Sequence, residues 1–178
     1  LAVNRDGSRI LTACNDKTAR IFDGEGRLVQ VLRVPRDAGH EGKLNAAALT
    51  ADGKWAALGG WTGVTAEQSA SVYLFETTSG RVVGRISGLP GVVTALAFPH
   101  AGSNLAHLAI ALGSGGLRIV DCYKGEELFA DSGYDERCLA IEWDSTGRIL
   151  VSVAWDGNIR LYQAGPAGYT KVLESRLR

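Results

Sequence analysis

Residues that could do chemistry are few in this 178-residue sequence and are scattered along it. The three histidines are His40, His100 and His107, and neither a His-x-x-x-His pair nor a carboxylate cluster accompanies them. Metal sites need such spacing. An activated nucleophile needs a base within hydrogen-bond reach, and no Gly-x-Ser-x-Gly turn is present to position one. We therefore expect no catalytic residue, no cofactor and no metal ligand in this chain.

The glycine-rich run Leu112-Gly113-Ser114-Gly115-Gly116 is a candidate phosphate-binding loop. Such a loop works together with the N-terminus of a following helix, whose N–H groups point at the anion. Here strand-like residues precede and follow the run, so we interpret it as a tight hairpin.

Three cysteines, Cys14, Cys122 and Cys138, are an odd number without C-x-x-C spacing. This pattern fits neither a disulfide framework nor a zinc site. Each cysteine lies in or beside a predicted strand, where we expect a buried thiol that packs as a small apolar side chain. Because free thiols persist in a reducing compartment, we expect a cytoplasmic protein.

Bulk composition excludes several classes of partner. The chain has 19 Lys and Arg residues and 19 Asp and Glu residues, so it has no net positive charge that would attract it to nucleic acid. No apolar run approaches the roughly 18 residues that cross a bilayer, so we expect no membrane association. Because the chain opens with Leu1 in a strand-like run and contains no Met, we expect it to be a piece of a longer protein.

Short elements repeat along the chain. A turn with glycine recurs every 45 to 49 residues, at Gly7, Gly53, Gly102 and Gly147. Short apolar runs separate these turns, and none is long enough for a typical helix, which predicts many short strands. The period matches a four-stranded propeller blade. We place four units at approximately 1–36, 37–88, 89–132 and 133–178.

Two segments carry a family resemblance. The residues from Leu11 to Asp23 and from Ser152 to Tyr162 resemble the hallmark of WD repeats, and Gly39-His40 resembles the Gly-His dipeptide that opens a repeat. The resemblance implies an all-β WD-repeat β-propeller of four four-stranded antiparallel blades. Rings in this family usually hold seven or eight blades, so we expect these four to be part of such a ring.

The resemblance also assigns a structural role to two aspartates, Asp16 and Asp156. Each falls in a tight turn between the second and third strands, where an Asp can accept backbone N–H bonds. In the family this Asp pairs with the Gly-His imidazole. An insertion from Gly60 to Ala70 replaces the turn in the second blade, so we expect His40 to lack such a partner.

A narrower resemblance concerns the segments Gly39–Trp61, Ser71–Phe75 and Gly88–Val93. They are similar to the propellers of bacterial multidomain proteins in which WD repeats accompany a caspase-like peptidase domain. This similarity implies a regulatory part of a larger bacterial protein. No peptidase residues lie in this chain, so the peptidase activity is not carried over.

The predicted partner-binding surface is one rim of the propeller. In the family that the sequence resembles, the loops between second and third strands lie on the same rim as the loops that link consecutive blades. Trp61 lies in the insertion and Trp155 in a tight turn, whereas Trp55 and Trp143 fall in strands and are expected in the core. Exposed aromatics and Arg commonly anchor protein interfaces. The alternative is that each rim indole packs over a blade edge. The predicted rim residues are Lys17, Arg36, His40, Lys43, Trp61, Gln68, Tyr134, Arg137 and Trp155.

The function expected from these patterns is a protein–protein interaction scaffold that is not itself an enzyme. The alternative is an enzymatic propeller, a hydrolase that uses the central channel or the rim. Four blades leave two blade faces and strand edges uncovered, which is an aggregation liability. We therefore expect the missing blades to come from the parent chain or from a second copy.

Overall fold

The computed structural model describes residues 1–35, 40–63, 69–100, 107–166 and 168–176, and these form strands and turns. Blade one contains β1 (Ala2–Val3), β2 (Arg9–Ala13), β3 (Thr18–Asp23) and β4 (Leu28–Arg33). Blade two contains β5 (Lys43–Leu49), β6 (Trp55–Trp61), β7 (Ala70–Glu76) and β8 (Val82–Leu89). Blade three contains β9 (Val93–Ala97), β10 (His107–Leu112), β11 (Leu117–Asp121) and β12 (Glu126–Asp131). Blade four contains β13 (Cys138–Trp143), β14 (Ile149–Ala154), β15 (Asn158–Gly165) and β16 (Gly168–Arg176).

In the part of the chain that the structure describes, strands pair only with their sequence neighbours inside each blade. Every sheet is antiparallel and has four strands, in the order in which they follow one another along the chain. The predicted all-β fold of four four-stranded antiparallel blades is therefore confirmed. No helix within the described ranges is long and apolar enough to cross a membrane.

Glycine turns connect the first two strands of three blades. Gly7, Gly53 and Gly147 have φ values of 72°, 69° and 69°, a left-handed conformation that a Cβ atom disfavours. This requirement explains why the turn recurs with glycine. The remaining member of the predicted set, Gly102, lies outside the described residues.

A β-bulge marks the same place in all four blades. In blade one the register of the third and fourth strands shifts between Ile21 and Phe22. A bulge adds one residue to one strand and increases the local twist. The equivalent shifts in blades two, three and four fall between Leu74 and Phe75, between Ile119 and Val120, and between Leu161 and Tyr162.

The core consists of three apolar clusters, one at each junction between consecutive blades. Each blade has a leading face toward the preceding blade and a trailing face toward the next. Leu11 and Ile21 on the trailing face of blade one cluster with Phe75 on the leading face of blade two. Leu74 of blade two and Ile110 of blade three share the second cluster. The sheets of blades two and three are buried on both faces between neighbours, so their strands need apolar residues on both sides.

Blades three and four share the third cluster, which includes the predicted core residue Trp143. Its indole Nε1 donates to the Ala97 carbonyl at 3.2 Å across the junction. Trp55, the other expected core tryptophan, is only half-buried. Within the described ranges, no apolar cluster joins blade four back to blade one.

The three thiols have different environments, and the expectation that all are buried is wrong for Cys14. Cys138 is buried, Cys122 is half-buried and Cys14 is exposed. Cys14 follows the end of β2, where the chain leaves the sheet for the turn before β3. Burial raises the pKa of Cys138 to about 11 and that of Cys122 to about 12.

Candidate functional site

Asp16 holds the tight turn between β2 and β3. Its Oδ1 accepts the Thr18 backbone N–H at 2.9 Å and the Thr18 hydroxyl at 2.6 Å. Its Oδ2 lies 2.8 Å from Nη2 of Arg20, four residues later. Lys17, a predicted rim residue, occupies the left-handed position of this turn with φ 69° and is half-buried.

Asp156 repeats this geometry between β14 and β15. Its Oδ1 accepts the Asn158 N–H at 2.8 Å, and its Oδ2 lies 2.6 Å from Nη2 of Arg160. The hydrogen bond from Arg160 lowers the pKa of Asp156. The side chains of Asp156 and Arg160 are 4% and 1% exposed, whereas those of Asp16 and Arg20 are 44% and 36% exposed. Burial is therefore the main difference between the two copies.

Arginine was not foreseen as the partner of the turn aspartates. The expectation for the family was an imidazole from a Gly-His dipeptide, but in both copies the guanidinium four residues later takes this place. The signal was present in the sequence as Asp-x-x-x-Arg at 16–20 and again at 156–160.

Tyr134, a predicted rim residue, lies inside the junction of blades three and four. The Arg160 guanidinium stacks on its ring, 4.1 Å from the centroid, and donates to the Gly133 carbonyl at 3.2 Å. The Tyr134 hydroxyl is 2.6 Å from Ser152 Oγ and 2.7 Å from the Tyr162 hydroxyl. Burial raises the pKa of Tyr134. Its side chain thus joins the connector between the blades to the leading face of blade four.

His40, Lys43 and Trp61 meet at one end of blade two. The Lys43 ammonium lies 2.9 Å from His40 Nδ1, and the His40 and Trp61 rings are tilted with centroids 5.8 Å apart. Lys43 and Trp61 are also register partners of β5 and β6. In the described part of the chain, the contacts of His40 are with Lys43 and Trp61 rather than with a turn aspartate.

Arg137 and Trp155 form a second pair on the rim, at blade four. The Arg137 guanidinium lies over the Trp155 indole, 5.3 Å from the ring centroid, and the backbone N–H of Trp155 donates to the Arg137 carbonyl at 3.0 Å. Trp155 is the most exposed tryptophan among the described residues. A guanidinium on an aromatic face is an attractive cation–π contact that keeps both groups presented to solvent.

Two cavities connect these pairs across the rim. The first, of about 370 Å³, lies between blades two and three, and the second, of about 190 Å³, reaches blade four. Trp61 lines both cavities, and Arg137 lines the second. We call this continuous surface the rim groove. Besides these two residues, it is lined by Glu41, Asn45, Gly60, Thr62, Gly63, Ser69, Ala70, Gly91, Val92, Thr94, Gly113 and Ser114.

Two predicted rim residues, Arg36 and Gln68, lie outside the described residues. The structure thus brings Trp61, Lys43 and His40 together and pairs Arg137 with Trp155. The sequence could not show that Trp61 and Arg137 share a cavity, because they come from blades two and four.

The histidines of blade three make isolated contacts away from the rim groove. His100 Nε2 lies 2.8 Å from Glu142 Oε1, and His107 Nδ1 lies 2.6 Å from the Tyr169 hydroxyl. Burial lowers the pKa of His107. Among the described residues, no group of three or more His, Cys, Asp or Glu side chains is placed to hold a metal ion.

Comparison with known proteins gives one family. Residues 1–23 and 126–163 match the family model described as WD domain, G-beta repeat. The first segment contains the first three strands of blade one and the Asp16 turn, and the second runs from the last strand of blade three into blade four and contains the Asp156 turn. No curated protein matches the chain significantly. The four antiparallel blades and these matches are consistent with the fold of a WD-repeat propeller, and WD repeats generally mediate protein–protein interaction.

Proposed function

We propose that this chain is a recognition module that binds a protein partner in the rim groove. The observation that carries the proposal is the position of Trp61, an exposed indole that lines both cavities between blades two and four. Trp and Arg are enriched among the few residues that dominate binding energies at protein interfaces. Trp61 and Arg137 both line the rim groove, so one residue of each type lies on a surface that spans three blades.

Arg137 supplies the polar part of this surface. Its guanidinium stacks on Trp155 and forms no ion pair with a carboxylate in the ranges that the structure describes. Its donors are therefore available to carboxylate or carbonyl oxygens of a partner. Trp61 supplies apolar area at the other end of the same cavity. A peptide segment with an apolar residue and a nearby carboxylate fits this combination.

The biological setting is proposed from the resemblance described above. We propose that the chain is a regulatory part of a larger bacterial protein in the cytoplasm, and that further blades cover its two open end faces. A catalytic domain elsewhere in the parent protein is compatible with this role. No observation in the described residues favours the alternative of a hydrolase that uses the channel or rim.

A peptide-display selection tests the rim groove directly. Peptides enriched on the wild-type chain are measured against Trp61→Ala, Arg137→Ala and Trp155→Ala. Loss of a central interface anchor costs about 2 kcal/mol or more, so we expect roughly 30-fold weaker binding for Trp61→Ala. Tyr123→Ala is the matched control, because Tyr123 is an exposed aromatic in the turn between β11 and β12, away from the rim groove. Unchanged affinity for Trp61→Ala and Arg137→Ala would refute the proposal.

A further inference from the structure

The first strands of blades two, three and four each contain a bulge near the rim. In blade two the register of β5 and β6 shifts between Leu44 and Ala46, so Asn45 is the extra residue. The equivalent shifts in blades three and four leave Thr94 and Leu139 as the extra residues. Bulges are frequent next to functional sites, where they re-aim a side chain.

A glycine makes room for the bulge at Asn45. A Cβ atom on Gly60, in the neighbouring strand, would collide with the Lys43 carbonyl oxygen and with the backbone of Asn45. The side chain of Asn45 is exposed, and the described part of the chain offers its amide no hydrogen-bond partner. The two N–H donors of this amide are therefore available to another molecule.

Thr94, the bulge residue of blade three, helps to place Arg137 of blade four. Its hydroxyl donates to the Cys138 carbonyl at 2.6 Å, which ties the start of β13 to blade three. Arg137 directly precedes β13, and its guanidinium is held by the cation–π contact with Trp155. These two contacts hold the backbone and the side chain of Arg137 at the wall of the second cavity of the rim groove.

Asn45 and Arg137 face the same small cavity from blades two and four. Among the described residues that line this cavity, Arg137 carries the one charged side chain. A guanidinium can only donate hydrogen bonds, so the cavity favours an anionic acceptor. Pockets for drug-sized ligands measure about 300 to 1,000 Å³. A cavity of about 190 Å³ therefore suits one side chain of a partner rather than a whole small molecule.

We propose that Asn45 and Arg137 form a subsite for the carboxylate of an Asp or Glu side chain in the partner. The Arg137 guanidinium binds this carboxylate through charge-assisted hydrogen bonds, and the Asn45 amide donates to it from blade two. This inference deepens the proposed function and rests on it, because the partner's apolar residue packs on Trp61 while its acidic residue enters the second cavity. Asn45 is then a specificity-determining residue, since an amide donates to a carboxylate that another carboxylate would repel.

Matched pairs of peptides test the subsite by isothermal titration calorimetry. A peptide selected on the wild-type chain is made once with its acidic residue and once with the corresponding amide, both with a blocked C-terminus. We expect the wild-type chain to bind the acidic peptide roughly tenfold more tightly or better, because a hydrogen bond to a charged group is lost in the other. Asn45→Asp puts a second carboxylate into the cavity and should abolish or reverse this preference. Its affinity for the amide peptide should stay at the wild-type value, which also shows that the variant is folded.

Gln163→Glu is the matched control for the change from amide to carboxylate. Gln163 is exposed and pairs with Ile149, at the end of blade four opposite to Trp155. This variant should keep the full preference for the acidic peptide, because its new charge lies outside the rim groove.

The outcomes separate this inference from the proposed function. If Trp61→Ala weakens binding but Asn45→Asp keeps the preference for the acidic peptide, the partner binds in the rim groove without this subsite and the inference is overturned. Selected peptides that share no acidic residue, or that bind only with a free C-terminal carboxylate, would overturn it as well. A selection that yields no peptide, or peptides indifferent to both Trp61→Ala and Arg137→Ala, would refute the proposed function and the subsite together.

Discussion

Replacing Asp156 and Asp16 by Asn in two separate variants measures how burial changes the contribution of the Asp–Arg ion pair to stability. Asn keeps the oxygen that accepts the backbone N–H of the turn but removes the negative charge that faces the arginine. Each aspartate accepts the backbone N–H two residues later and pairs with the arginine four residues later, and Asp16 accepts the Thr18 hydroxyl as well.

The expected cost at Asp156 follows from the burial of Arg160. Breaking a buried ion pair by removing one partner costs about 3 to 5 kcal/mol, because an uncompensated charge remains inside the protein. Glu174 Oε1 lies 2.8 Å from the Nη2 atom of Arg160, so in the variant it still balances part of the arginine's positive charge. We therefore expect about 2 to 3 kcal/mol for Asp156→Asn. The Asp16 pair is in contact with water, so Asp16→Asn should change the stability far less.

Urea unfolding followed by circular dichroism measures the difference. With an unchanged slope of about 2 kcal/mol/M, Asp156→Asn should lower the midpoint by roughly 1 M. The Asp16→Asn midpoint should stay close to that of its parent. Equal shifts for the two variants would refute the argument, because burial would then not determine the strength of the pair. A changed slope for either variant would instead point to loss of the blade as a unit.

Three further predictions follow from the burial of other side chains. Trp143→Ala should destabilise the chain by about 3 to 5 kcal/mol in the same assay, since it empties a buried junction and removes a hydrogen bond between blades. A thiol-alkylating reagent at pH 8 should modify Cys14 rapidly and leave Cys122 and Cys138 unmodified in the folded chain, as mass spectrometry would show. Backbone N–H groups and a hydroxyl hold the pKa of Asp144 at about 2. Because this is below the unfolded value of about 3.9, the stabilisation is present above pH 4 and is lost as the pH falls toward 2. Melting temperatures of Asp144→Asn should therefore depend less on pH in this window than those of the wild type.

Repetition made the fold predictable from the sequence. The turn glycines and the residues that end each third strand recur at one spacing, so the four quarters could be aligned with one another. The strands of each blade pair with their neighbours in the sequence, so no pairing between distant segments had to be predicted. The burial of Trp143 followed from its place in a strand. Trp55 is in an equivalent run but stays half-buried, because its side chain borders a cavity near Cys122 rather than a filled junction.

Contacts between blades were less accessible to sequence reasoning. The pairing of Asp156 with Arg160 is local and could have been read from its repetition at Asp16. The stacking of Arg160 on Tyr134 depends on how closely blade three approaches blade four, which no spacing along the chain encodes. The same holds for the cavity that Trp61 and Arg137 share. The expected strand included Cys14, but β2 ends one residue earlier at Ala13, so Cys14 lies in the exposed turn.

The bulge that recurs in every blade has a consequence for how such a chain can lengthen. Each quarter carries its own bend, at a residue such as Phe22 or Tyr162 that lies within the quarter itself. The curvature is thus inherited with the segment whenever a gene duplicates it. A fifth blade copied from any of the four would already contain this twist, so it could stack on its neighbour without compensating changes elsewhere.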